Sequence, residues 1–501
     1  MNDKMHDAMQ QISDQHLQEA EHYQARRHPV WLSAAAAVLA LILVLTPILT
    51  GMMNTLPPMP TISGTQPADN PALVAPQSPH TLQLANLVAA PEYPEMAQKP
   101  DKNAFGSDYT GYNTAMSAWQ ASQRAQYSQQ DGYANSLTPF FTESIRKFLN
   151  GEENGAYSPV NVYMALALLA ETTDGNSRQQ ILDLLGLETI EDLRLQASQV
   201  WNAHYSTDGE TTLILGNSLW LSDKFDFRQE TLDRLASTYY ASSFHGEMGS
   251  ESLDSQLQQW LNSQTGGLLS DKVDSIKLDA DTVFALASSV YFSAGWDNEF
   301  IKSSTKNDVF HCEDADLITA FMTNILFDSY YYGTHFDAVK LGLSGGNNMW
   351  LILPDEGHSV SEILASNEYM QMIQAPYKWE NQYSYMEIHL KMPKFDVSSD
   401  LDLKEGLKEL GITDVFNDTV SDFSAVTNEE NLFVGAVKHA ARVKIDEEGC
   451  VGAAFTMIYT YGTGNTVVPP EEIYFTLDRP FVFIVSSRDH LPLFAGVVAQ
   501  P

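Results

Sequence analysis

The chain has 501 residues, 44% of them hydrophobic and 18% charged, the profile of one large globular domain with extras, or of two to three domains. Its 64 acidic residues against 28 basic ones give a formal net charge of −36, which argues against a nucleic-acid partner and serves solubility first. Two cysteines, Cys312 and Cys450, exclude a disulfide framework and a cysteine–histidine metal cluster.

Residues 1–29 are polar and of mixed charge, and read as a solvated cytoplasmic tail with room for a short helix around Met9 to Arg26. Val30 to Met53 then runs without a charge. As a helix it would span about 36 Å, enough to cross the ~30 Å hydrocarbon core of a bilayer. Lys4, Arg26 and Arg27 precede it, and no Lys or Arg follows until Lys99. The positive-inside rule therefore keeps the N-terminus in the cytoplasm and sends the body outside. The run is longer and starts later than a signal peptide's apolar region, and no small-residue cleavage site follows it. An uncleaved signal anchor over 30–53 is predicted, giving a single-pass cell-membrane protein with an extracellular body. Residues 54–104 carry PPMP, APQSP, APEYP and QKPDK, and proline at this density favours an extended polyproline II spacer. Ala115 to Ser128 is either a helix joined to the body or more spacer.

The body mixes helices and strands without a strict βαβ rhythm, so α+β is the fold class. Ser158–Pro159 is a helix start, a capping hydroxyl with proline in the first turn. TVFALASSVYF and MWLILP are dense apolar runs suited to central strands. Gly342 to Asn348 lacks the lysine of a phosphate loop and reads as a hairpin turn. Met386, Ile388, Leu390 and Met392 alternate with polar residues, as in a half-buried strand. Leu403, Leu407 and Leu410 share a helix face that Gly411 ends. Zinc-protease and phosphate-loop motifs are absent, and no metal or cofactor is expected.

Glu447 to Val468, EEGCVGAAFTMIYTYGTGNTVV, has the composition of a strand with a flexible glycine tip. If extended, Cys450, Gly452, Ala454, Thr456, Ile458 and Thr460 share one face, and Val451, Ala453, Phe455, Met457 and Tyr459 the other. The first face begins small, which suits entry into a crowded sheet. Cys450 reads as a small apolar residue there.

This tract resembles the reactive-centre loop of a serpin, the serine protease inhibitor family. IDEEG is similar to the hinge before the loop, FTLDRPFVFIV to the family's closing motif and PLFAGVV to its final strand. Upstream, SPVNVYMALALLAETTDGNSRQQILDLLG, GNSLWLS, DTVFALASSVYFSAGWDNEF, KMPKFDV and LKELGITDVF resemble family segments in the family's order. The resemblance implies a serpin fold over residues 105–501, with a large, mostly antiparallel central sheet and a loop over 447–470. With the anchor, a monomeric, membrane-attached member of bacterial source is the expectation.

The resemblance also assigns residues. Glu447, Glu448, Gly449, Cys450, Val451, Gly452, Ala453 and Ala454 would form the hinge. Lys394 would pair with Glu447, an exposed pair worth ~1 kcal/mol or less. Trp296 would stand at the top of the sheet where the loop enters. His439, Ser158 and Asn161 would form the shutter beneath the sheet, with Ser288 where the family offers asparagine. The scissile bond would lie between Thr463 and Gly464, with Tyr461 and Tyr459 as alternative sites of cleavage. The implied activity is suicide-substrate inhibition of a serine protease through a covalent complex, without enzymatic turnover. No Lys or Arg lies between Gly449 and Asp478, so elastase-like or chymotrypsin-like targets are expected rather than trypsin-like ones. A non-inhibitory serpin, serving as a surface binding or chaperone module, is the alternative.

Overall fold

The computed structural model describes residues 86–313, 315–450 and 470–501. The tail, the apolar segment 30–53, residues 54–85 and loop residues 451–469 lie outside these. Among the described residues, no helix is long and apolar enough to cross a membrane.

In chain order, β1 (Leu87–Ala89) precedes helices α1 (Tyr109–Tyr127) and α2 (Thr138–Phe148). β2 (Gly155–Tyr157) leads into α3 (Pro159–Thr172), α4 (Gly175–Leu185) and α5 (Ile190–His204). Next come β3 (Ser206–Thr207), β4 (Thr211–Ser222), α6 (Gln229–Tyr239) and β5 (Ala241–Gly246). α7 (Glu251–Gln264) and the short α8 (Ser270–Val273) precede β6 (Phe284–Gly295). Four strands follow: β7 (Lys306–His311), β8 (Asp316–Gly333), β9 (Phe336–Leu343) and β10 (Asn347–Pro354). α9 (Val360–Ala365) and α10 (Glu368–Gln374) lead to β11 (Gln382–Pro393) and β12 (Phe395–Asp402). α11 (Lys404–Glu409), β13 (Lys438–Ile445), β14 (Gly449–Cys450), β15 (Glu472–Thr476), β16 (Phe481–Ser486) and β17 (Pro492–Val498) complete the order.

Among the described residues the strands form two sheets. The first has the order β1-β5-β4-β6-β14-β13-β12, with β3 beside β4. The second has the order β15-β11-β8-β9-β10-β16-β17-β2, with β7 beside β8. Helix α3 contacts β6 of the first sheet and β17 of the second, and almost every one of its residues is buried. Its sequence is apolar around the whole circumference, as a helix enclosed on all sides requires. Ser158 caps it by accepting from the Asn161 N–H, and Pro159 stands in its first turn. Other sequence expectations also hold. MWLILP lies in β10, and Ser344–Gly346 closes the β9–β10 hairpin. β11 buries Met386, Ile388, Leu390 and Met392 on one face.

The last part of the proline-rich segment is not spacer. Leu87 and Ala89 of β1 pair antiparallel with Phe244 and Ser243 of β5, extending the edge of the first sheet. The Tyr93 ring lies 5.7, 5.6 and 6.1 Å from the rings of Trp201, Tyr205 and Tyr240. The Lys99 N–H donates to the Asp208 carbonyl at 2.7 Å, and its ammonium meets Glu210 at 2.6 Å. Trp119 of α1 donates to the Ala97 carbonyl at 3.1 Å, so residues 109–127 are a helix joined to the body. Pro91, Pro94 and Pro100 all fall outside the strand, where no ladder hydrogen bond is needed. Tyr93→Ala should therefore lower stability by about 2 kcal/mol, the cost of emptying a partly enclosed aromatic site. Urea denaturation checks this, with a lower midpoint at unchanged slope expected.

Candidate functional site

Among the described residues the first sheet has a gap in its middle. β6 pairs with β4 along most of its length, and β13 pairs with β12 from Phe395–Ile445 to Asp402–Lys438. Among the described residues no ladder joins β6 to β13. They meet only through β14, which lies between them at one end. There Gly449 and Cys450 pair antiparallel with Gly295 and Ala294, and Cys450 pairs with Ile445. Gly449 is required by close approach, since a Cβ at this position would lie 2.3 Å from the Ala294 carbonyl oxygen and 2.8 Å from Gly295 Cα. Cys450 is 2% exposed, and burial, reinforced by Asp446, pushes its thiol up to about 12. It is a protonated, small core side chain rather than a reactive thiolate.

The turn into β14 is held on all sides. Trp296, buried at the end of β6, donates its Nε1–H to the Asp446 carbonyl at 2.9 Å and its backbone N–H to the Glu448 carbonyl at 3.1 Å. It is at once a core tryptophan and the residue at the mouth of the gap. Glu447 receives the Lys394 ammonium at 2.6 Å and the Thr305 hydroxyl at 2.7 Å. The Phe300 N–H donates to its carbonyl at 3.2 Å. The pair is not exposed as expected, because the Glu447 side chain is only 7% exposed and that of Lys394 37%. Burial disfavours the Glu447 charge, but the Lys394 and Thr305 hydrogen bonds outweigh it and hold the carboxyl below its ordinary range. Lys302 forms a second ion pair, with Glu448. Thr305 and Lys302 carry no motif in the sequence; only the fold brings residues so distant in the chain beside the hinge.

A second cluster lies six residues back along β13, about 20 Å away at the strand rise. His439 is 4% exposed, and its Nε2 accepts from the Ser158 N–H at 3.1 Å. Ser158 donates its hydroxyl to the Leu493 carbonyl at 2.6 Å. Ser288 Oγ lies 2.5 Å from Asn161 Oδ1 and 3.0 Å from Asn217 Oδ1, so its one proton is placed between two amide oxygens. Asn217 stands directly opposite Ser288 in the β4–β6 ladder and donates to the Tyr239 carbonyl at 2.9 Å. Ser288 therefore keeps a connected network despite replacing asparagine, with Asn217 supplying an amide. Asn217 was visible in GNSLWLS but had no assigned part, because the pairing that brings it to Ser288 is a property of the sheet. Burial lowers the His439 pKa to about 4, so its ring is neutral at physiological pH.

The structure thus gathers Glu447, Glu448, Gly449, Cys450, Lys394 and Trp296 at one end of the gap, and His439, Ser158, Asn161 and Ser288 farther down. Val451, Gly452, Ala453, Ala454, Tyr459, Tyr461, Thr463 and Gly464 lie outside the described residues.

The model of the family "Serpin (serine protease inhibitor)" matches residues 136–501. The chain belongs to the serpin family. Alpha-1-antiproteinase 2 of Equus caballus is 30% identical over 356 residues, covering 69% of this chain and 81% of the relative. Leukocyte elastase inhibitor A of Rattus norvegicus is 26% identical over 355 residues, covering 69% and 92%. Among solved structures, the native state of the thermophilic serpin tengpin aligns with a TM-score of 0.65 at 24% identity, covering 75% of this chain and 95% of tengpin. Thyroxine-binding globulin in complex with thyroxine aligns with a TM-score of 0.62 at 21% identity, covering 73% and 98%. The two relatives named are mammalian and lend no support to a bacterial source.

The His439 cluster has a pH signature. A histidine held at about pKa 4 when folded, against about 6.5 unfolded, contributes stability that is complete above pH 6.5 and is lost as pH falls towards 4. The full loss is about 3 kcal/mol. His439→Gln should be less stable than the wild type at pH 7, and the difference should shrink by that amount at pH 4. Paired urea titrations across this window check it, and a constant difference would contradict a neutral buried imidazole.

Proposed function

We propose that this serpin is a suicide-substrate inhibitor of elastase-like or chymotrypsin-like serine proteases, with its reactive loop over 447–470. The observation that carries the reading is β14, whose two described residues lie between β6 and β13 and pair with both. Were its register continued, Gly452 would stand opposite Phe292 and Val443, Ala454 opposite Val290 and Ala441, and Thr456 opposite Ser288 and His439. Phe292, Val443, Ala441 and His439 are buried, so the inserting face must be small and uncharged. Gly449 to Thr460 contains neither charge nor proline, and Val451 and Phe455 fall on the opposite face.

The target's serine attacks the Thr463 carbonyl, and the Gly464 amine leaves with a proton, forming an acyl-enzyme. The freed segment then enters the gap antiparallel to both neighbours, satisfying their backbone groups and carrying the acylated protease to the far end of the sheet. Distortion of the protease there prevents deacylation. Thr463 suits a small primary pocket, and the likeness to a leukocyte elastase inhibitor supports that class. A cut after Tyr459 or Tyr461 would indicate a chymotrypsin-like target instead.

Incubation with elastase and chymotrypsin tests the reading. An SDS-stable adduct is expected, with a released peptide beginning at Gly464. Ala454→Arg should form no adduct and be cleaved as a substrate, because an unpaired charge on the inserting face slows insertion. Clean cleavage of the wild type without adduct would replace this reading with the non-inhibitory binding or chaperone module.

We also infer that Val30 to Met53 anchors the protein in the cell membrane, N-terminus inside and the monomeric inhibitor outside. The uncharged run and the flanking basic residues support this. In cell fractions the protein should need detergent for extraction, and protease added to intact cells should degrade the body. Release by carbonate washing would sink the anchor.

A further inference from the structure

We infer that Glu387, His389 and Glu472 form a binding site for a divalent transition cation of Zn2+ chemistry, which ties β15 to β11. β15 runs parallel to β11, with Glu472 opposite Glu387 and Tyr474 opposite His389. These side chains occupy the outer face of the sheet, while Ile388, Leu390 and Phe475 between them point into the core. His389 Nε2 lies 3.4 Å from Glu387 Oε1 and 3.9 Å from Glu472 Oε2. One ligand atom from each of the three residues fits within 4.8 Å of the other two. Bonds of 2.0–2.2 Å in tetrahedral geometry hold ligand atoms about 3.3–3.5 Å apart. The histidine and Glu387 already meet that spacing, and Glu472 is 59% exposed and free to swing in.

Two features are unfavourable without a cation. Glu387 and Glu472 are like charges directly opposite on adjacent strands, a destabilising pairing. Among the described residues, neither pairs with a lysine or arginine. His389 Nε2 is itself buried without a hydrogen-bond partner, in spite of lying between two carboxylates. A single cation satisfies both, neutralising the carboxylates and accepting the nitrogen lone pair. The Tyr474 ring stacks on the imidazole at 4.6 Å and 16°, fixing its orientation as a supporting group around a ligand does. One imidazole nitrogen and two carboxylate oxygens leave a fourth position for water, and this mixed set favours zinc over magnesium.

The position gives the site its consequence. β15 is the edge strand of its sheet, with β11 its one ladder partner among the described residues, and it is the first strand after the reactive loop. A cation bridging Glu472 to Glu387 and His389 therefore fastens the downstream root of the loop to the body.

The test uses the full-length protein with zinc chloride, and with magnesium chloride as the control. Calorimetry should find a zinc site that magnesium does not fill. His389→Ala should abolish that site, and Glu472→Gln should weaken it at least ten-fold while leaving the fold intact, because it removes one of two repelling charges. Amide exchange over residues 472–476 should slow with zinc in the wild type and in neither variant. The chain has 13 histidines, so zinc taken up equally by the wild type and both variants would place the metal elsewhere and overturn the site. Absence of zinc binding to the wild type would overturn it as well.

Discussion

Backbone donors and acceptors inside a sheet need partners on both sides, and the gap between β6 and β13 leaves that requirement unmet among the described residues. Each buried group without a partner costs on the order of 1–3 kcal/mol. A strand entering the gap satisfies two rows of them at once. The remainder of the structure is arranged around this. α3 presses on β6 from beneath, β12 covers the far side of β13, and β14 fills the mouth. An inhibitor of the proposed kind would release conformational energy as such a strand enters on cleavage.

Two polar clusters flank that gap, and they differ in kind. At the mouth, Glu447 is charged and balanced by Lys394 and Thr305, so the turn before β14 is pinned through its side chain, its carbonyl and its neighbour's carbonyl. Removing one partner would leave a nearly buried carboxylate uncompensated, which is where such pairs are strong. Below, His439 is neutral and takes part through one accepted hydrogen bond, and Ser288 orders two amide oxygens from different elements. The first cluster fixes where a strand begins. The second lies farther along, between His439 of β13 and Ser288 of β6.

The N-terminal part of the body adds a restraint on the opposite edge. β1 caps β5, Tyr93 joins an aromatic group from α5 and the end of α6, and Lys99 is bound at the start of β4. The family match begins at residue 136, so this strap lies ahead of the matched segment. It closes an edge that would otherwise expose unpaired backbone.

Much of this was legible in the sequence. The alternation in β11, the Ser158–Pro159 start of α3 and the apolar runs of β6 and β10 are local signals, because side-chain periodicity and capping depend on neighbours a few residues apart. The hinge and shutter residues were legible through resemblance, since their motifs lie in contiguous segments. The sequence misjudged residues 86–104, whose prolines read as spacer; proline forbids a ladder bond at its own nitrogen but not packing by the tyrosine and lysine between. It also read the Lys394–Glu447 pair as exposed and missed Thr305, Lys302 and Asn217. Burial and these contacts arise where segments more than fifty residues apart meet, and no local pattern encodes such a meeting. The Glu387–His389–Glu472 cluster belongs to the same class, since two of its residues are neighbours on a strand and the third arrives only through a parallel ladder. The sequence by itself determined the local elements and which tract is small and uncharged; the tertiary structure alone decided which strands become neighbours, because pairing is a relation between strands and not a property of either one.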